Sequence, residues 1–304
     1  MSKLNSPGAS LRTSMAQERP LQVAGVVNAY AARLAGTVGF KALYVSGAGV
    51  AVSSCGIPDL GITTMEDVLI DLRRITEITG LPALVDIDTG WGGALNIART
   101  VKSMINAGAA GVQIEDQVQE KRCGHRPGKV VVPGEEMVDR IKVAVDAKTD
   151  PDFVIIARTD ALASEGIEAS IDRGRMYVEA GADMFFPEAV TSLEAYKRFV
   201  DACRVPILAN ITEFGLTPLF TVDQLRSVGV SLALYPLSAF RAMSAAALEV
   251  YQAIRREGTQ KNVIGLMQTR DELYQYLNYY IFERKLDELF GKREQVNGRG
   301  TAGS

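Results

Sequence analysis

At 304 residues, with 47% apolar and 23% charged residues and a net charge of −3, the chain has the makeup of one large or two ordinary globular domains. The charge gives no reason to expect a nucleic acid or membrane surface as partner, and no apolar run approaches the roughly 20 residues that span a bilayer. Three cysteines, Cys55, Cys123 and Cys203, do not form a disulfide framework, and residues 1–20 lack the apolar core of a secretory signal, so a reducing, cytoplasmic location is expected.

Short apolar runs alternate with amphipathic stretches along the chain. In order, the pattern predicts strand 21–28, a helix closing near Gly39, strand 42–47, helix 64–79, strand 83–88, helix 94–107 and strand 111–115. It continues with helix 134–148, strand 153–159, helix 167–180, strand 184–188, helix 193–203, strand 206–212, helix 222–228 and strand 232–237. A helical C-terminus covers 238–290, and the small polar tail 291–304 is expected to be disordered. Three helices end in similar phrases, Thr37-Val-Gly-Phe40, Asn106-Ala-Gly-Ala109 and Glu179-Ala-Gly-Ala182, where glycine is the expected C-cap.

Buried strands bounded by helices imply a parallel sheet covered on both faces. Eight such units in about 240 residues predict a (β/α)8 barrel, an α/β fold, as one domain over 1–290 with C-terminal helices. A doubly wound sheet is the alternative, but no G-x-G-x-x-G follows the first strand, and Gly47-Ala-Gly49 does not replace it. Polar residues gather at the C-terminal ends of the predicted strands: Asn28; Tyr44 and Ser46; Asp86 and Asp88; Glu115 and Asp116; Arg158 and Asp160; Glu188; Asn210 and Thr212; Ser238. In a barrel these ends converge on one catalytic face.

Asp86 and Asp88 lie two apart in Val85-Asp-Ile-Asp-Thr89, which on a strand directs both carboxylates to one side. Two adjacent carboxylates repel, and a divalent cation relieves that cost. Oxygen ligands favour Mg2+ or Mn2+, and a single histidine argues against a zinc site. A helix cap plus an arginine partner is the structural alternative for the pair. Arg158 closes the apolar run Val154-Ile-Ile-Ala-Arg158, and Arg241 and Arg270 follow the last strand; guanidinium groups suit a substrate with several carboxylates.

The run Lys121-Arg-Cys-Gly-His-Arg-Pro127 sets Cys123 beside the only histidine among cations, a setting expected to favour thiol ionisation. The glycines and charges of 119–134 suggest a lid that closes over substrate.

At KRCGH (121–125), LVDIDTGWG (84–92), EDQ (115–117), ARTDA (157–161), FPEA (186–189) and NITEFG (210–215), the chain closely resembles the 2-methylisocitrate lyase family of the isocitrate lyase and phosphoenolpyruvate mutase superfamily. The resemblance runs from Ser6 to about Leu289, and the cysteine motif marks the lyase branch. It departs at Ala48, where the family usually has a third glycine of an SGGG turn, and at Trp91, where the family has Phe.

The resemblance implies cleavage of 2-methylisocitrate to pyruvate and succinate, a step of the methylcitrate cycle in propionate catabolism. It implies Mg2+ on Asp86 and Asp88, partly through water, with Mn2+ as substitute. Ser46, Gly47 and Ala48 would contact the substrate carboxylate and hydroxyl, and Cys123 would be the proton donor, with Gly124 against substrate. Arg158, Glu188, Asn210, Ile211, Thr212, Arg241 and Arg270 would line the pocket, and His125 and Arg122 would tune the thiol. The base stays open among Tyr44, Asp59 and Glu115 acting through water. A homotetramer with the last barrel helix swapped between subunits is also implied.

Phe186, Leu234 and Pro236 are apolar at strand ends and form an expected pocket for the substrate methyl. Isocitrate lyase chemistry differs by that one methyl and is the nearest rival. Oxaloacetate decarboxylation and phosphonate chemistry also occur on this scaffold, but the cysteine motif weighs against both.

Overall fold

The structure, a computed structural model, describes residues 6–297, with side chains through Gly291. Eight strands, β1 (Leu21–Gly25), β2 (Ala42–Val45), β3 (Ala83–Asp86), β4 (Gly111–Glu115), β5 (Val154–Thr159), β6 (Met184–Pro187), β7 (Leu208–Asn210) and β8 (Leu232–Tyr235), pair in parallel. Their order is β6-β5-β4-β3-β2-β1-β8-β7, and a parallel bridge from Phe185 to Ile207 joins the two ends. This is the (β/α)8 barrel expected from the sequence.

Side chains alternate along a strand, so each contributes one row inward and one outward. The inward rows pack a core of Leu21, Val23, Ala42, Leu84, Val154, Ile156, Met184, Phe186, Leu208, Leu232 and Leu234. Outward residues such as Val85, Val112, Ile155 and Phe185 pack against the surrounding helices. Fully buried Phe185 lies 6.4 Å from the Tyr177 ring and 5.9 Å from that of Phe199. Burying such a ring stabilises the fold by ~1.5–3 kcal/mol.

The helices are α1 (Pro7–Gln17), α2 (Ala29–Thr37), α3 (Gly47–Ser53), α4 (Met65–Ile78), α5 (Ala94–Asn106), α6 (Gly134–Asp146), α7 (Leu162–Glu179), α8 (Leu193–Cys203), α9 (Val222–Ser227), α10 (Ser238–Glu257), α11 (Arg270–Leu277) and α12 (Tyr279–Asn297). Their starts follow from capping chemistry. The Thr64 side chain accepts the Asp67 N–H while Asp67 returns a bond to the Thr64 N–H, and Ser192 and Thr221 cap α8 and α9. Gly39, Gly108 and Gly181, at the three predicted helix ends, have φ of +95°, +86° and +107°.

Several boundaries differ from the sequence reading. Strands stop one to three residues early at β1, β2, β3, β6, β7 and β8, because the next residues turn into loops and caps; Asn28, for example, caps α2 by accepting the Ala31 N–H. The segment before β1 is helix α1, started by Ser6 and Pro7, and its Leu11 packs into the inward core. Residues 47–53 form α3 rather than a turn. α7 starts at Leu162, five residues before the predicted start, with a kink at Gly166 (φ +80°).

The chain divides into two compact units between Ala242 and Met243, within α10. The first carries the barrel. The second holds the rest of α10, a 3-10 turn (Lys261–Leu266), α11 and α12, and within it Tyr274 stacks on Tyr279 at 4.1 Å. The helical C-terminus is divided into separate helices at Gly258 (φ +70°) and at Asn278 (φ +55°). α12 runs to Asn297, past the tail boundary set at 291; the rest of the tail lies outside the described residues. No helix among the described residues is long and apolar enough to cross a membrane.

Candidate active site

The inward rows that start apolar end polar at the C-terminal rim: Tyr44 then Ser46, Leu84 then Asp86, Gln113 then Glu115, Ile156 then Arg158, Phe186 then Glu188, Leu208 then Asn210. They enclose a cavity of about 250 Å3 lined by Tyr44, Ser46, Ala48, Asp59, Asp86, Cys123, Gly124, His125, Arg158, Glu188, Asn210, Thr212 and Arg241. Thirteen of the residues singled out from the sequence therefore face one space. Phe186, Leu234 and Pro236 line the same cavity.

The acidic pair is not the simple strand alternation expected. β3 ends at Asp86, and Asp88 follows in a left-handed conformation (φ +49°) with its N–H donating to Asp86 Oδ1 at 3.1 Å. Aspartate tolerates that conformation because its short side chain bonds locally. The carboxylates still meet at Gly47, whose N–H donates to Asp86 Oδ2 at 3.1 Å. A Cβ on Gly47 would stand 2.9 Å from Asp88 Oδ1 and 3.3 Å from Asp86 Oδ2, so glycine is required for the approach.

Between the acids sits a cation that the sequence reading missed as a participant. The Lys121 ammonium contacts Asp88 directly and lies 2.8 Å from Asp59, with its side chain only 5% exposed. Burial works against its charge, but Glu115, Asp88, Asp86 and Asp59 raise its pKa well above the usual value. Burial pushes the Asp88 carboxyl up to about 6, opposed by Lys121 and reinforced by Asp86. Apart from ion pairs to Lys121 and Arg158, the oxygens of Asp88 and Glu115 lack a hydrogen-bond donor, which marks a cluster rich in acceptors and short of positive charge. Such an all-oxygen set fits a hard divalent cation. Among the described residues no three His, Cys, Asp or Glu groups converge on one ion position, so Asp86 and Asp88 would need water or substrate to complete a shell.

Arg158 organises the opposite wall. Its Nε donates to Asp160 Oδ2 at 2.9 Å and lies 3.3 Å from Glu115 Oε2, its Nη2 lies 3.2 Å from Glu188 Oε2, and the guanidinium stands 5.2 Å above the Phe186 ring. Burial would penalise this charge, yet Asp160, Glu115 and Glu188 raise its pKa well above normal. Burial likewise works to raise Glu188, but Arg158 and His125 outweigh it and hold the carboxyl at about 2. Asn210 Nδ2 donates to both Glu188 oxygens, at 3.2 and 3.3 Å, and its Oδ1 is unpartnered and free to face a substrate. Glu115 is pushed well above the usual range by burial, against Arg158 and Lys121.

The cysteine loop is pinned over this wall. Its base closes where the Val118 N–H donates to the Val130 carbonyl at 3.0 Å, and the Gln117 side chain grips the backbone of Arg122. His125 Nε2 faces Glu188 Oε1 at 3.1 Å, while its Nδ1 accepts the Leu216 N–H at 3.0 Å. Gly124 packs so closely on the wall that a Cβ would collide with Glu188 Cγ and stand 2.5 Å from Arg158 Nη2. Cys123 is exposed at the cavity.

Of the other expected residues, Tyr44 and Arg241 lie on this cavity lining and Ile211 lies outside it. Tyr44 donates its hydroxyl to Gln113 Oε1 at 2.7 Å, and burial, then Asp86, raises its pKa well above normal. Ile211 is 3% exposed in the hydrophobic core, its side chain outside the cavity lining. Arg241 stacks over Phe214 at 5.5 Å, 3.9 Å from Glu213 Oε2. Arg270 opens α11 in the second unit. Gln113 was also missed, although a glutamine amid the apolar run Gly111–Glu115 was a legible signal.

Comparison with known proteins agrees with this geometry. The profile of the phosphoenolpyruvate phosphomutase family matches residues 11–255, which sets the chain among the phosphoenolpyruvate mutase and isocitrate lyase barrels, enzymes that are generally metal-dependent. A 2,3-dimethylmalate lyase structure is similar at 34% identity and TM-score 0.84, over 99% of this chain and 100% of that one. An oxaloacetate acetylhydrolase structure is similar at 35% identity and TM-score 0.86, over 94% and 97%. The 2-methylisocitrate lyase of Escherichia coli (strain K12) is 63% identical over 292 residues, covering 96% of this chain and 99% of that protein. The chain belongs to the 2-methylisocitrate lyase family and is a carbon–carbon lyase.

Proposed function

We propose that the cavity cleaves 2-methylisocitrate to pyruvate and succinate, with Mg2+, or Mn2+ in its place, on Asp86 and Asp88. The observation that carries the reading is the joining in one cavity of Asp86, the acid that meets Asp88 at Gly47, with the Arg158–Glu188–Asn210 wall and the Cys123 thiol. A divalent metal bound by the acids supplies Lewis acidity toward the substrate's hydroxyl and neighbouring carboxylate.

Ser46 and the backbone at Gly47 and Ala48 hold that end of the substrate, beside the N-terminus of α3. Among the candidate bases, Asp59 is favoured: its carboxylate lines the cavity beside Lys121, whereas the Tyr44 hydroxyl stays protonated and Glu115 is held behind Arg158. The base takes the hydroxyl proton, the C2–C3 bond breaks, and its electron pair passes to the succinate fragment. Arg158, Asn210, Thr212 and Arg241 bind the carboxylates, with Arg270 assigned to the same task by resemblance, and Cys123 delivers the proton that completes succinate. The 119–134 loop keeps water from the carbanion.

Phe186, Leu234 and Pro236 form the pocket for the substrate methyl. One methyl in an apolar pocket is worth about 1–3 kcal/mol, so kcat/KM for 2-methylisocitrate is expected to exceed that for isocitrate by at least about tenfold. Steady-state pyruvate and glyoxylate assays on the two substrates test this, and an equal or reversed preference moves the reading to isocitrate lyase.

A homotetramer exchanging its last barrel helices is proposed with it. What supports this is the apolar surface of the C-terminal helices, where Leu248, Tyr251, Phe282, Leu286 and Leu289 are all more than half exposed. Light scattering should return four times the 32.8 kDa chain mass; a monomer contradicts it.

A further inference from the structure

Lys129 stands at the end of the cysteine loop, outside every motif that marks the family in the sequence. Its side chain is only 4% exposed, an uncommon position for a lysine unless it is paired. The ammonium makes two contacts: it donates to the Gly124 carbonyl and lies 3.1 Å from Asp160 Oδ1. Asp160 is shared, because the Arg158 guanidinium spans the same carboxylate, Nε to Oδ2 at 2.9 Å and Nη2 to Oδ1 at 3.3 Å.

Asp160 is in turn fixed from below. Its backbone N–H donates to Asp116 Oδ1 at 2.9 Å, and Asp116 also accepts from Thr159 at 2.6 Å and Tyr177 at 2.8 Å. A rigid acid just beyond β5 thus holds one cation from the substrate wall and one from the loop. The loop cation grips the carbonyl directly after Cys123. Gly124, lacking a Cβ, presses against Arg158 and Glu188 at the same point.

We infer that Lys129 is a positioning residue for the reaction: it clamps the Gly124 carbonyl to the Asp160–Arg158 pair and so sets where the Cys123 thiol stands over substrate. The inference rests on the reading of Cys123 as proton donor. A lysine suits the task because its ammonium offers three donors, enough to serve the carbonyl and the carboxylate together.

The test uses full-length Lys129→Met, which keeps the aliphatic stem, and Lys129→Arg, which keeps the charge. Lys129→Met is expected to lower kcat at least tenfold with KM within threefold of wild type, and to raise the solvent deuterium isotope effect on kcat as proton delivery becomes limiting. Tryptic nicking after Arg122 should accelerate at least fivefold at unchanged Tm. Lys129→Arg should recover most of both losses. The nicking rate needs no substrate, so the clamp can be judged even if 2-methylisocitrate proves the wrong substrate. Lys129→Met with kcat and nicking both within twofold of wild type overturns the inference, and so does Lys129→Arg behaving as badly as Lys129→Met. Should Lys129→Met fail to fold, Lys129→Ala, which has no donor for Gly124 and leaves room for water beside Asp160, is read by the same criteria.

Discussion

Replacing Cys123 with serine is expected to reduce kcat by two orders of magnitude or more while leaving substrate binding nearly unchanged. Serine preserves size and a hydroxyl but is a far weaker acid than a thiol, so the step that suffers is protonation of the succinate carbanion. A hundredfold loss corresponds to ~2.7 kcal/mol of barrier, within the range for a missing general acid. Binding should persist because the groups that hold substrate lie on other elements: Arg158 on β5, Asn210 on β7, and Ser46 just beyond β2. Loss of kcat with KM intact is the pattern of an interaction made only in the transition state. Near wild-type turnover in Cys123→Ser would leave the thiol as a bystander on a basic loop.

The second large effect is expected at the acidic rim. Asp88→Ala should abolish activity with the fold intact, read by an unchanged circular dichroism spectrum and a cooperative melt. Asp88 is buried, its oxygens short of hydrogen-bond donors and its carboxyl pushed up to about 6. Removing it relieves a desolvated acid but also takes one carboxylate partner from the buried Lys121, which keeps Asp59 at 2.8 Å, so a modest fall in Tm is expected. What is lost is one of the two carboxylates that would hold the divalent ion. Exhaustive EDTA treatment should silence the wild type in the same way, with activity restored by Mg2+. Full activity after chelation contradicts the metal assignment.

The barrel was legible because its signals are local and repeated. Short apolar runs, the amphipathic stretches between them and the glycines at 39, 108 and 181 each speak within a few residues. Most of the rim was legible too, since an inward row that begins with Leu84 or Ile156 must place Asp86 or Arg158 at its top. The geometry at Asp88 was not, because strand alternation gives no warning that the chain leaves β3 at Asp86 and enters a left-handed turn.

Lys121 and Lys129 were hidden for a different reason. In sequence they read as ordinary loop charges; only the fold shows them buried against Asp88 and Asp160. Helix α1 was missed because a single buried Leu11 and Gly8 leave too faint an apolar stripe. Arg270, assigned by resemblance, opens a helix of the second unit, where sequence periodicity carries no information about substrate.

The central claim is that a fixed thiol, Cys123, completes a carbon–carbon cleavage. Its most direct test is turnover of 2-methylisocitrate by the metal-loaded enzyme in D2O, followed by determination of the label and configuration of the succinate formed. Delivery from one thiol on one face predicts a single carbon-bound deuterium in a single configuration. Succinate without deuterium, or deuterated succinate of mixed configuration, contradicts the account.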